Sequence, residues 1–447
     1  MTNSSRPREI TLRVYQVGFG DCFLLTFHYD APETDRHLLI DFGSTEKPDG
    51  VASRKDMLQQ VAEDISRRCG GQLHAVIATH RHADHINGFA TTKDEKGPGD
   101  IIRRCRPDLV LQPWTEDPEA PENPLTERLK TLHAFSWNLR EDLQRLQRIK
   151  GYSAGVMRDL QRFAANNAGS REPSNLSAIE NLQTMGQQPP AYLSYGQAPG
   201  LNLPGVNAYV LGPPTLAQWP DILKERSSHP DEFWQLLQTS SPIAEGSAPL
   251  FGDIPATLAS QWAPQNARWL IRRLSSLRGE QLLDLVRVLD DVLNNTSLIL
   301  LFEVGDQKLL FPGDAQWENW SYALHHPQDQ ARNEALLRGA TLYKVGHHGS
   351  RNATPKSLWN LIQSNNLLSV LSTKPDRHGD VENKTEVPRT TLVRELKKNS
   401  QLFSTQDMGW GVSRDGEPPS KAFTITPQYP KSPRITLKSA KSAAPPS

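Results

Sequence analysis

Cysteine is scarce: Cys22, Cys69 and Cys105 are the three in a chain of 447 residues. An odd count without paired spacing excludes a disulfide framework and predicts a reducing compartment. Long hydrophobic runs are lacking too. The longest, at residues 298–302, is far below the roughly 20 residues that cross a bilayer, and the opening MTNSSRPREI has no apolar signal core. These absences predict a cytoplasmic protein with no membrane partner. Neither charge is in excess, since 50 Lys and Arg face 50 Asp and Glu. That balance excludes a globally basic nucleic-acid coat and a strongly acidic mimic. What remains is ordinary globular composition, 37% hydrophobic and 22% charged, in a chain long enough to bury a core without a structural metal.

Alternation and turns predict a strand-rich frame at both ends of the chain. Residues 10–17, 22–29 and 37–41 read as strands, with the turn Gly18-Phe19-Gly20-Asp21 between the first two. Residues 53–69 have helical spacing, with Met57, Val61 and Ile65 on one face. A buried strand is expected at 75–79. Residues 206–211 read as a returning strand, and 297–304 and 308–311 as a hairpin around Gly305-Asp306. Further strands are expected at 341–345 and 367–372, with a helix over 391–398. Strands alternating with helices imply a layered α/β architecture. The frame covers 1–112, 201–214 and 295–427. Helix-rich insertions at about 113–200 and 215–294 interrupt it, with a loop over 168–200, and 428–447 read as a flexible basic tail.

The chemistry is concentrated in Thr79-His80-Arg81-His82-Ala83-Asp84-His85. In an extended segment residues 80, 82 and 84 project to one side, and His85 turns off that line. The loop therefore offers two imidazoles to one ion, and a carboxylate with an imidazole to a second. Such ligands suit Zn²⁺, Mn²⁺, Fe²⁺ or Co²⁺.

H-x-H-x-D-H at a strand end resembles the metallo-β-lactamase fold superfamily. Leu39-Ile40-Asp41-Phe42-Gly43 is similar to that superfamily's strand-ending D-x-G. Gly18–Asp21, Asn295-Thr296-Ser297-Leu298, Pro312-Gly313-Asp314 and Lys344-Val345-Gly346-His347-His348-Gly349-Ser350 resemble motifs of the hydrolase domain of the competence protein ComEC. The resemblance implies a four-layer αββα sandwich and a metal-dependent hydrolase. It implies two Zn²⁺ ions, or Mn²⁺ or another transition metal: one on His80, His82 and Asp314, the other on Asp84, His85, His347 and the shared Asp314. Asp84 and His348 are the catalytic candidates, Asp41 and Asp21 orient ligands, and Lys344 and Ser350 are expected to touch substrate. The ComEC-like branch implies a phosphodiester of nucleic acid or a nucleotide, cut by a metal-bound hydroxide. A small ester, thioester or lactam is the alternative, and a binding module of a multi-protein system that keeps the metal site is another. The insertions are expected to roof the cleft or meet a protein partner. In two places the pattern breaks: Gly212-Pro213-Pro214 offers no further His, and Val387 stands where N-x-x-G-H-P would place one, with His378 as a substitute.

Overall fold

Period-two alternation builds two sheets whose inner faces meet. In the computed structural model, strands β1 (Glu9–Tyr15), β2 (Cys22–His28) and β3 (Arg36–Phe42) form an antiparallel meander. β4 (Ala75–Ile77), β5 (Leu109–Pro113) and β6 (Ala191–Leu193) continue it in parallel. The second sheet holds β7 (Asn207–Gly212), β8 (Ile299–Val304), β9 (Gln307–Phe311), β10 (Leu342–Lys344), β11 (Leu368–Leu371) and β12 (Gln401–Ser404). β13 (Ser420–Ile425) returns to pair with β1. The orders are β13-β1-β2-β3-β4-β5-β6 and β12-β11-β10-β9-β8-β7. The structure describes residues 6–127, 174–223, 229, 231–234, 293–374, 386–410 and 417–429.

Alternate residues decide which core each strand feeds. Ile10, Leu12 and Val14 of β1 and Leu300, Phe302 and Val304 of β8 share the core between the sheets. Tyr15, Leu24 and Leu39 face the other way, onto helix α1 (Arg54–Arg68), where Met57, Val61 and Ile65 are buried at helical spacing. Ser53 caps that helix by accepting from Asp56 N–H at 3.3 Å. Leu301, Leu310 and Tyr343 face outward from the second sheet, onto the helices beyond it. The result is helix, sheet, sheet, helix, as expected. Among the described residues no helix is long and apolar enough to cross a membrane. The three cysteines are free and buried.

The loop expected over 168–200 is corrected in part. A helix runs over Ser174–Thr184, and β6 adds a strand beside β5. Ala178 and Leu182, one turn apart, are buried against the α1 layer, and that burial outweighs the polar composition. Most of 215–293, where helices are expected, most of 125–167, His378 and the basic tail beyond 429 lie outside the described residues; the described Pro220–Leu223 is a 3-10 turn.

Candidate metal centre

The site gathers at one edge of the two sheets, where strand ends meet tight turns. β4 runs into the 79–85 loop, and a short helix (Ala83–Ile86) starts inside it. Asp84 and His85 are therefore delivered by a helical turn rather than by extended alternation, a correction to the expected geometry of residue 84. Arg81, between the two histidines, turns away to an ion pair with Glu116. Close backbone approach makes glycine necessary beneath this loop. A Cβ on Gly43 would lie 2.3 Å from the Asp84 carbonyl carbon, and one on Gly20 would lie 2.7 Å from the Asp84 oxygen. Asp21 N–H donates to Asp84 O at 2.9 Å, which fastens the first turn to the loop.

Asp41 organises two of the imidazoles. Its Oδ1 accepts from Thr79 N–H at 2.8 Å. Its Oδ2 accepts from Thr79 Oγ1 at 2.7 Å and from His85 Nδ1 at 2.8 Å. Because the Thr79 hydroxyl gives its proton to Asp41, its lone pair faces His80 Nδ1 at 3.3 Å. One carboxylate thus fixes His85 directly and His80 through a hydroxyl, leaving Nε2 of each ring as the outward lone pair. His80 Nε2 lies 3.0 Å from His82 Nδ1. Nitrogens sharing one tetrahedral ion with bonds of about 2.0–2.1 Å lie roughly 3.3 Å apart, so this spacing suits a common cation.

The second sheet supplies the rest. Asp314 follows β9 on a turn whose Gly313 has φ +55 and packs against Thr79. Its N–H donates to Ser297 Oγ at 3.3 Å. Asp314 Oδ2 lies 3.0 Å from His85 Nε2 and 3.5 Å from His348 Nε2. His348 Nδ1 donates to Ser372 O at 2.9 Å, and its Nε2 lies 3.1 Å from Asp84 Oδ2. Ligand atoms of Asp84, His85, Asp314 and His348 all lie within 4.8 Å of one another, and all four residues are buried.

The expectation for His347 does not match this geometry. His348 enters the cluster, while His347 is half-buried outside it, its Nδ1 2.9 Å from Ser350 Oγ and its Nε2 3.4 Å from Asn294 Nδ2. Both histidines have left-handed backbone, φ 42 and 51, and their ring centroids stand 6.3 Å apart at 63°. Ser350 is buried beside His347. Lys344 departs from its expected substrate contact as well: its ammonium reaches Gly313 O at 2.9 Å, Asp314 Oδ1 at 3.2 Å and Asp21 Oδ2 at 2.5 Å.

The electrostatics follow from burial and pairing. Burial opposes charge on His85, but the Asp314 and Asp41 carboxylates outweigh it and hold the imidazolium well above its usual pKa. Burial would raise Asp84, yet the hydrogen bond from His348 and the charge of His85 bring it down. Asp314 is likewise lowered, with His85, His348 and Lys344 overcoming its burial. His80 goes the other way, pushed well below its usual value by burial and by neighbouring His85 and His82.

The donor set fits a transition-metal ion. It comprises imidazoles, of which His80, His85 and His348 have Nδ1 engaged by Thr79, Asp41 and Ser372 and Nε2 facing the cluster, and carboxylates at hydrogen-bond distance. Asp84 Oδ1 is buried with no hydrogen-bond donor among the described residues, a costly state that a cation would relieve. Sequence reasoning missed Thr79 and Ser372 as orienting groups. Thr79 is adjacent to the motif and was open to notice; Ser372 acts through its backbone carbonyl, which leaves no residue-type signal.

No curated protein matches the chain. Residues 15–117 match the family model described as the Metallo-beta-lactamase superfamily, a span that includes Asp21, Asp41 and the whole 79–85 loop. That superfamily consists in the main of hydrolases that use metal ions. A metallo-beta-lactamase superfamily domain is thus present at residues 15–117, and the second sheet brings Asp314 and His348 to its loop.

Proposed function

We propose that this chain is a metal-dependent hydrolase that cleaves a phosphodiester of a nucleic acid or nucleotide. The observation that carries the metal reading is the convergence of Asp84, His85, Asp314 and His348 from both sheets, beside the facing nitrogens of His80 and His82. In this reading Asp84, His85, His348 and Asp314 hold one ion. His80 and His82, with Asp314, hold the other, and Zn²⁺ or Mn²⁺ suits both. When bound, the ions would supply Lewis acidity, lower the pKa of a bound water and stabilise a leaving oxygen.

The protein's own groups do the positioning. Asp41 keeps the Nδ1 proton of His85 in place, and the Ser372 carbonyl does so for His348. Rigid orientation of this kind spares reorganisation when charge develops. In this reading the half-buried His347, whose Nδ1 lies 2.9 Å from Ser350 Oγ, meets the non-reacting part of a substrate, with Ser350 behind it. The phosphodiester class rests on the likeness of Asn295–Leu298, Pro312–Asp314 and Lys344–Ser350 to ComEC-type motifs. Net neutrality does not oppose it, because bound cations attract phosphates locally without a basic surface.

The test is a substrate panel with the metal-loaded chain: single- and double-stranded DNA, RNA, cyclic dinucleotides, a generic phosphodiester and a chromogenic lactam. Metal-dependent turnover of phosphodiesters, lost in Asp84→Asn, is the expected result. Turnover of the lactam alone would sink the phosphodiester reading. Tight capture of a protein partner with no turnover would support a binding module instead.

A further inference from the structure

We infer that Lys344 is a positioning residue, a buried internal cation that holds one oxygen of Asp314 and so turns the other towards His85 and His348. This inference rests on the metal reading above.

Lys344 closes β10 and is 2% exposed. A lysine ammonium has three donors, and three protein oxygens surround this one: Gly313 O, Asp314 Oδ1 and Asp21 Oδ2. Two hydrogen bonds and the Asp21 ion pair thus turn it inward, into the protein. By holding the carbonyl of 313 and the side chain of 314 together, one group fixes both the turn and the carboxylate it carries. The geometry of Asp314 is divided accordingly. Oδ1 faces Lys344 at 3.2 Å, and Oδ2 faces His85 Nε2 at 3.0 Å and His348 Nε2 at 3.5 Å. Asp21 anchors the arrangement from the first sheet's turn, which is itself fastened to Asp84 O. Lys344 therefore joins the Asp21 turn, the Asp314 turn and β10 beneath the site. A buried ammonium is costly unless paired, and here both partners belong to segments that deliver ligands.

Charge and orientation have opposite consequences, and that separates this role from simple ion pairing. Removing the ammonium alone takes away a positive charge, which by Coulomb's law favours divalent binding. Losing its hold on Asp314 weakens binding. Lys344→Met is therefore compared with Lys344 kept in an Asp21→Asn background: removing the ammonium there favours a cation by charge, so weaker binding than Asp21→Asn alone reports lost orientation.

The experiment uses the full chain stripped by a chelator, with Zn²⁺ alone as the probe. Affinity is read by competition with a chromogenic chelator, and melting is followed in chelator. K344M/D21N should melt cooperatively close to D21N alone yet bind Zn²⁺ about 10-fold or more weakly than D21N, the range seen when an orienting partner is lost. K344Q/D21N, which keeps a donor, should fall between the two. Zn²⁺ affinity equal to D21N alone in both variants would overturn the assignment. If K344M/D21N shows no cooperative melt, K344Q/D21N decides alone: weaker binding than D21N supports the role, and affinity equal to D21N overturns it. Failure of the unsubstituted chain to take up Zn²⁺ would instead defeat the metal reading, and the Lys344 role with it.

Discussion

The two halves of the 79–85 loop meet different surroundings. His80 and His82 come from one loop and face each other at 3.0 Å, with His80 held neutral by burial and by His85. Asp84 and His85 meet Asp314 and His348 from the opposite sheet, and opposite charges alternate around that half. The lesson is that ligands from both sheets converge on the carboxylate half, where Asp84 adds a second anionic ligand to Asp314, whereas the other half has two imidazoles of one loop and the shared Asp314. A cation should therefore fill the carboxylate half first and more tightly.

The largest expected effect comes from the group assigned to both halves. Asp314→Asn should abolish measurable uptake at both positions in a Zn²⁺ titration, a loss beyond the roughly 10–100-fold that removing an outer partner causes. Retention of either ion would break the shared role. Next is Asp41→Asn, which loosens His85 directly and His80 through Thr79. Both affinities should fall about 10–100-fold, and a fall confined to one half would show that the Thr79 relay does not operate. His80→Ala with His82→Ala sharpens the comparison further. Metal analysis should show one ion lost and the tighter one kept, and loss of both would erase the distinction between the halves. His347→Asn should leave metal content unchanged, because His347 lies against Ser350 and Asn294 rather than in the cluster.

The smallest effect concerns histidines of neither half. Burial, with His74 nearby, lowers His37 to about 4, and burial, with Arg36 nearby, lowers His74 to about 4. The unfolded chain protonates these rings near 6.5, so between those values it binds protons that the folded chain does not. Their contribution to stability is steady above about pH 6.5 and declines as pH falls towards 4. Urea midpoints should drop over that window, and His37→Gln with His74→Gln should flatten the drop. An unchanged slope in the double variant would remove these rings as its cause.

Much of this site was legible because short-range geometry wrote it into residue order. H-x-H-x-D-H after a buried strand, Asp41 before Gly43 and Asp314 after Gly313 are spacings that a turn can satisfy in few ways. His347 and His348 show where that stops. Which of two adjacent rings points inward depends on two left-handed residues in a row, φ 42 and 51, and no composition rule chooses between them. The resemblance implies a substrate contact for Lys344. Only the fold shows it enclosed by Asp21, Gly313 and Asp314. The helix over Ser174–Thr184 was hidden for a related reason: its buried face is short, and its partners in the α1 layer are distant in sequence.

The central claim is that residues from both sheets form one metal centre with unequal halves. Stepwise Zn²⁺ titration of the chelator-stripped chain, beside Asp314→Asn, tests it most directly. The account predicts two binding steps of unequal affinity, both lost in the variant. No uptake by the unsubstituted chain, or uptake that Asp314→Asn leaves intact, would contradict it.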